Sequence, residues 1–142
     1  MQEKLEENLE LKIKTFLSSK AFAVVGASNN HDKYGNKVVR CYLLHKKIVY
    51  PINPKETQIE GHACLPNIEK LPHTVNSISV VTPPAITLEI VKTAIQKGIS
   101  NIWLQPGSED IDAIKICNAN NINLIYGGPC ILVTLGSLCF RR

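Results

Sequence analysis

Five short segments of the chain carry residue types that bind phosphate-bearing ligands, and each directly follows an apolar run. Glycine lets the backbone approach an anion closely, while hydroxyl, amide and ammonium groups donate hydrogen bonds to phosphate oxygens. In an open parallel sheet, segments that follow strands meet at the carboxyl edge, where ligands bind. The pattern therefore predicts a nucleotide-binding crevice. The segments are residues 26–35, 53–55, 82–84, 105–108 and 127–130.

The first segment has the composition of a phosphate-binding loop. Gly26 permits close backbone approach, Ser28 offers a hydroxyl, and Gly35 with Asn36 begins a predicted helix whose free N–H groups favour anions. Eight residues separate Gly26 from Gly35, so the spacing is not that of the dinucleotide fingerprint G-x-G-x-x-G. The alternative is a plain strand-to-helix turn.

The second segment bears on the choice of cofactor. An NAD site needs an acidic residue after the second strand to accept from the ribose hydroxyls, but this chain has Asn53, Pro54 and Lys55 there. A lysine in a proline-stiffened turn suits a phosphate on the adenosine ribose, as in coenzyme A or NADP. The alternative is a solvated loop lysine.

The third and fourth segments carry weaker signals. Residues 82–84, Thr-Pro-Pro, form a stiff ledge against which an adenine or a pantetheine arm would lie, although proline also simply begins a helix. Gln105 and Gly107 offer an amide and a flexible backbone. Ser108 fits a ligand contact and an N-cap equally well.

Catalytic groupings are absent from the predicted crevice. The sequence has no G-x-S-x-G elbow, and no strand end presents a Ser-His-Asp or Cys-His set. His31 with Asp32 is more typical of an exposed turn than of an acid–base pair. Cys130 falls at the ligand edge, where it is either a buried inert thiol or a group able to form a mixed disulfide. We therefore expect no enzymatic activity.

The amino-acid composition narrows the classes of function that remain. The five cysteines and four histidines are dispersed without metal-ligand spacing, so no metal is expected. A net charge of +4 without a basic stripe suits a small anionic ligand better than nucleic acid. No signal peptide or membrane span is recognisable, which predicts a cytoplasmic protein.

Alternating apolar runs and amphipathic segments predict how these loops are positioned. An amino-terminal amphipathic helix covers about residues 3–18, and strands at 21–25, 48–52, 78–81, 101–104 and 124–126 alternate with helices. We therefore predict a single α/β domain, residues 1–142. It is a doubly wound, Rossmann-like parallel five-stranded sheet of order 3-2-1-4-5, with helices on both faces.

The segments after the strands resemble those of the stand-alone CoA-binding-domain proteins, relatives of the amino-terminal domain of the succinyl-CoA synthetase α subunit. The likeness covers about residues 12–136 and lies in residues 22–28, 50–55, 81–84, 102–107 and Cys130. In the synthetase the phosphorylated histidine belongs to a second domain, which we do not expect in this chain. The resemblance therefore implies coenzyme A binding without catalysis.

Together, the loop chemistry and the resemblance predict one set of cofactor-binding residues. The alternatives are an NADP-dependent reductase, which needs a proton donor that the sequence does not place, and an interaction protein whose crevice is vestigial. The predicted set is Gly26, Ala27, Ser28, Lys33, Tyr34, Gly35, Asn36, Asn53, Pro54, Lys55, Thr82, Pro83, Pro84, Leu104, Gln105, Pro106, Gly107 and Cys130.

Overall fold

A computed structural model of the protein describes residues 2–136. Helices and strands alternate along this part of the chain, with bounds close to those predicted from the apolar patterns. The helices are α1 Gln2–Leu17, α2 Tyr34–Leu44, α3 Pro84–Lys97, α4 Ile111–Ala119 and α5 Ile131–Leu135. The strands are β1 Ala21–Val25, β2 Ile48–Ile52, β3 Gln58–Ile59, β4 His62–Ala63, β5 Ser77–Val80, β6 Asn101–Leu104 and β7 Asn123–Ile125.

Five of the strands form one parallel sheet in the order β2-β1-β5-β6-β7, which confirms the predicted α/β class. The predicted order 3-2-1-4-5 is wrong. It placed the third long strand, now β5, beyond β2, whereas β5 pairs with β1 on the side opposite β2. The first strand is accordingly next to the edge strand and not central.

The physical reason lies in the connection between β2 and β5. It contains the β3-β4 hairpin and a 3-10 turn, Ile68–Lys70, which packs against α3 on the sheet face opposite α2. Right-handed crossovers on opposite faces of a sheet step in opposite directions, so this connection carries the chain back past β1. The switch point consequently lies between β1 and β5.

Two apolar cores flank the sheet, because side chains of a strand alternate between its faces. On one face Ala23 and Val25 pack with α3 and α4, and on the other Phe22 and Val24 pack with α1, α2 and α5. In the second core Trp103 meets Phe16 edge to face, with ring centroids 5.2 Å apart. The predicted outer position of the amino-terminal helix is confirmed by its packing beside β7.

Two further features concern the helices. Gly98 ends α3 in the left-handed region at φ 90, as its position in the sequence predicted. No helix within the described residues is long and apolar enough to cross a membrane. The predicted single domain also includes residue 1 and residues 137–142, which lie outside the described part of the chain.

Candidate functional site

A cavity of about 450 Å³ opens at the carboxyl edge of the sheet, beside the switch point. The ends of β1, β2 and β5 form its floor, while the 3-10 turn and α3 contribute its walls. Most of the surrounding side chains are apolar. They are Val25, Gly26, Ile52, Pro54, Pro66, Asn67, Ile68, Glu69, Val81, Thr82, Pro83, Ile86, Ile90 and Thr93.

Four of the predicted site residues line this cavity: Gly26, Pro54, Thr82 and Pro83. Sequence analysis missed the wall formed by the 3-10 turn and by the outer face of α3. Ile86 is 49% exposed at the first turn of α3, although an isoleucine of an amphipathic helix is expected to be buried. Its exposed side chain borders the cavity.

Backbone crowding at the end of β1 requires glycine at two positions. Gly26 has φ +93, and a Cβ on it would lie 1.9 Å from the Val81 carbonyl oxygen. A Cβ on Gly35 would lie 2.0 Å from the Gly26 carbonyl oxygen. The first turn of α2 therefore sits directly against the end of β1, which explains the unusual glycine spacing of this loop.

The N–H groups in this loop divide into two sets. Gly26 and Ala27 both donate to the Ile52 carbonyl oxygen, at 3.2 and 3.3 Å, so their amides hold the two loops together. At the start of α2, Lys33 provides no side-chain cap, and no acceptor within the described residues takes the amides of Tyr34 or Gly35. An uncapped helix start with free N–H groups attracts an anion.

Two predicted asparagines have structural contacts that account for their side chains. Asn53 donates from Nδ2 to the Ala27 carbonyl oxygen at 2.8 Å and accepts from the Lys55 amide at 2.8 Å. Asn36 is fully buried and donates to the Ser28 carbonyl oxygen at 2.8 Å. Both side chains therefore hold the crevice loops in place.

Ser28 and Lys55 retain groups able to meet a ligand. The Ser28 hydroxyl accepts from the Asn30 amide at 3.0 Å, and its own proton stays available. The Lys55 side chain is exposed beside Pro54 at the rim of the cavity, and it forms no ion pair with any described residue. A positive charge thus stands unneutralised next to the cavity.

A buried hydroxyl network supports the loop after β5. Thr87 lies in α3 with no exposed surface, donates to the Ser108 carbonyl oxygen at 2.7 Å and lies 2.8 Å from the Thr82 hydroxyl. The Ser108 hydroxyl accepts from the Thr82 amide at 3.0 Å, so Ser108 fastens this loop. The N-cap of α4 is instead Asp110, which accepts from the Ala113 amide.

Gln105 is fully buried and joins three elements on the α2 side of the sheet. Its Oε1 accepts from the Tyr34 hydroxyl at 3.2 Å and from the Ile131 amide at 3.0 Å. The single proton of the Tyr34 hydroxyl is shared with Cys130 Sγ, which lies 2.6 Å from the Tyr34 oxygen. Burial, followed by this contact with Cys130, raises the pKa of the Tyr34 hydroxyl far above its usual value.

This Gln105 cluster lies apart from the cavity, because none of its members is among the cavity-lining residues. The remaining predicted residues are divided between interior and surface. Leu104 is buried in β6, while Lys33, Pro84, Pro106 and Gly107 are exposed, with the Gly107 amide donating to Glu109. The predicted set therefore falls into a cavity group, a helix-start group and a supporting group.

Among the described residues, no three His, Cys, Asp or Glu side chains come together in a group that could hold a metal ion. Within the crevice, no hydrogen bond joins Ser28 or Cys130 to a histidine among the described residues. The geometry consequently fits binding of an anionic ligand that also has an apolar part.

Comparison with known proteins places this architecture among CoA-binding domains. A family model described as CoA binding domain matches residues 20–136. A region of an ADP-forming acetate–CoA ligase from Archaeoglobus fulgidus is 31% identical over 80 residues, 56% of this chain and 12% of the ligase. An ADP-forming acetate–CoA ligase from Methanocaldococcus jannaschii is 23% identical over 126 residues, 84% of this chain and 18% of the ligase. The chain thus spans less than a fifth of either ligase.

Solved structures of shorter proteins share the fold over most of both chains. A conserved hypothetical protein from Pyrococcus furiosus superimposes with a TM-score of 0.77 at 34% identity, covering 81% of this chain and 98% of the other. A hypothetical protein from Pyrococcus horikoshii superimposes with a TM-score of 0.80 at 28% identity, covering 86% and 85%.

Proposed function

Because this chain belongs to the CoA binding domain family, we propose that it binds coenzyme A or an acyl-CoA at the carboxyl edge of β1, β2 and β5. The observation that carries the proposal is the pairing of an apolar cavity of about 450 Å³ with an uncapped helix start and an unpaired lysine. Coenzyme A combines a flat, uncharged adenine ring and an uncharged pantetheine arm with three phosphates, which is the matching set of groups.

The cavity suits the adenine ring and the adjoining part of the ligand. Small-molecule sites in proteins measure roughly 300–1,000 Å³ and are lined mainly by apolar side chains with a few polar groups. Here Pro83, Ile86 and Ile90 supply flat apolar surface, and Asn67 with Thr82 supplies polar atoms. We assign the adenine to this cavity on that basis.

The phosphates are assigned to the two positive features of the crevice loops. The free amides of Tyr34 and Gly35 point from the start of α2, where the helix dipole favours an anion. Lys55 supplies a full charge on the β2 side. We expect the pyrophosphate at the helix start and the ribose phosphate near Lys55.

We further propose that the domain binds its ligand without catalysing a reaction. The Cys130 thiol faces the Tyr34 hydroxyl and Gln105 cluster, not the cavity, and no described crevice residue pairs a nucleophile with a base. The two relatives named as ligases are far longer than this chain, which matches only a small part of each. A small-molecule partner and a cytoplasmic location are the accompanying expectations.

Isothermal titration calorimetry with CoA, dephospho-CoA, NADP and NAD tests this proposal. We expect CoA to bind most tightly, NAD least, and Lys55→Ala to weaken CoA binding by about tenfold because an exposed charge-assisted contact is lost. Lys20→Ala is the matched control, since Lys20 is an exposed lysine just before β1, at the opposite edge of the sheet. It should bind CoA like the wild type.

The ligand set separates the alternatives. If Lys55 contacts the ribose phosphate, Lys55→Ala leaves dephospho-CoA binding unchanged, and an equal loss for both ligands assigns the lysine to the pyrophosphate. NADP binding tighter than CoA binding would favour a reductase. No binding of any of the four nucleotides would contradict the proposed function and leave the crevice vestigial.

A further inference from the structure

Arg40 is a buried cation on α2 that the binding site described above does not use. Its side chain is 7% exposed. The guanidinium donates from Nε to Asn36 Oδ1 at 2.7 Å and from Nη2 to the His31 carbonyl oxygen at 2.9 Å. Both acceptors are neutral oxygens, so these two bonds do not balance the charge.

Buried arginines in proteins are nearly always paired with an acidic group, because desolvating an isolated charge is costly. Among residues 7–136, whose side chains the structure describes, no carboxylate comes within ion-pair distance of Arg40. Glu60 is linked to Arg40 only through Asn36, because Glu60 Oε2 accepts from Asn36 Nδ2 at 3.2 Å. The Asn36 amide therefore stands between the two charges, and Glu60 itself is solvent-exposed.

This chain of contacts lies under the loop that leads into α2. Asn36 is in the first turn of the helix and also holds the Ser28 carbonyl oxygen, while Arg40 holds the loop at His31. The free amides of Tyr34 and Gly35 belong to the same turn. A positive charge at this place adds to the helix dipole that faces a ligand phosphate.

We propose that Arg40 is a positioning residue for the phosphates of CoA, with its buried charge balanced by the bound ligand and opposed by Glu60. This role rests on the proposed function, because it concerns the charges that set the affinity of the same site for phosphate. Arg40 acts by holding residues 28–36 in the anion-binding shape and by raising the potential there. Glu60 acts with opposite sign across the shared Asn36 amide.

Two charge-removing substitutions give opposite expectations, which a purely structural role would not produce. Arg40→Gln should weaken CoA binding on the order of tenfold, as expected for loss of one partly screened charge several ångströms from a phosphate. Glu60→Gln should strengthen CoA binding about two- to threefold. Arg40→Lys keeps the charge and should stay within about threefold of the wild type.

Matched controls separate the effect of a lost charge on CoA affinity from the effect of a folding defect. Lys46→Gln removes an exposed charge just beyond the opposite end of α2 and should change CoA affinity less than twofold, because it lies far from the proposed phosphate site and solvent screens it. Adenosine carries no phosphate, so its binding by ligand-observed NMR should be the same in the wild type and in every variant. The thermal midpoint of each variant reports whether it is folded.

The outcomes decide the inference separately from the proposed function. Weakened CoA binding by Glu60→Gln, or equal losses in Arg40→Lys and Arg40→Gln, would overturn the charge argument. If Arg40→Gln does not fold, Glu60→Gln and Arg40→Lys still decide it. Failure of the wild type to bind CoA would contradict the proposed function itself, whereas wild-type binding with an unchanged Arg40→Gln variant would remove only the role of Arg40.

Discussion

Three glycines allow the cost of close backbone contact at the crevice to be separated from the cost of backbone conformation. Gly26 has both features, with φ +93 and a Cβ position 1.9 Å from the Val81 carbonyl oxygen. Gly98 has a similar φ of +90, but no atom lies within 4 Å of its Cβ position. Gly35 has the contact alone, since its Cβ position is 2.0 Å from the Gly26 carbonyl oxygen.

The expected losses in free energy of unfolding follow from these features. Gly98→Ala adds only a side chain in the left-handed region, which costs about 1–2 kcal/mol. Gly35→Ala forces the backbone apart at about 3 kcal/mol, offset by about 1 kcal/mol of helix propensity. Gly26→Ala combines conformation and contact and should cost about 4–5 kcal/mol, close to the whole stability of a marginal domain.

Urea denaturation followed by circular dichroism measures the three variants under one condition. The order of destabilisation should be Gly26→Ala, then Gly35→Ala, with Gly98→Ala equal to or below Gly35→Ala, at unchanged m-values. A Gly26→Ala variant within about 1 kcal/mol of Gly98→Ala would refute the reasoning. Such a result would mean that the ends of β1 and β5 do not meet as closely as described.

Other expectations concern buried groups near the crevice. Thr87→Val should cost about 2 kcal/mol in urea denaturation because it leaves buried polar partners unsatisfied, whereas Thr93→Val, which removes an exposed hydroxyl bond, should cost little. Tyr34→Phe should cost about 1 kcal/mol by the same assay, since the hydroxyl donates to Cys130 Sγ. Burial raises the pKa of the Cys117 thiol to about 11. The unfolded thiol ionises near pH 8.5 and the folded one does not, so the wild type should lose more stability than Cys117→Ala between pH 9 and 11, and equal losses would contradict this.

Element positions were predictable from the sequence because burial imposes a period on each segment. The bounds of β1, β2 and β6 match the predicted strands, and Gly98 ends α3 as expected. The β3-β4 hairpin was missed, since strands of two residues are too short to show alternation. Strand order failed because periodicity within a segment says nothing about which face the following connection crosses.

The candidate site was also predictable only in part from the sequence. Loop positions followed from the rule that strand ends meet at one edge, which holds for either strand order. The roles of Asn53 and Gln105 were not predictable, because their partners lie far along the chain and are brought near only by folding. Arg40 was missed for a related reason, since a lone arginine in a helix gives no sign that it is buried.

The most direct test of the central claim is the location of bound CoA, mapped by chemical-shift changes in two-dimensional ¹H–¹⁵N NMR spectra during a CoA titration. The account predicts the largest changes at the amides of Gly35, Lys55 and Thr82, which surround the crevice at the carboxyl edge of the sheet. Saturable changes confined to residues at the opposite edge, such as Lys20 and Ser100, would contradict it.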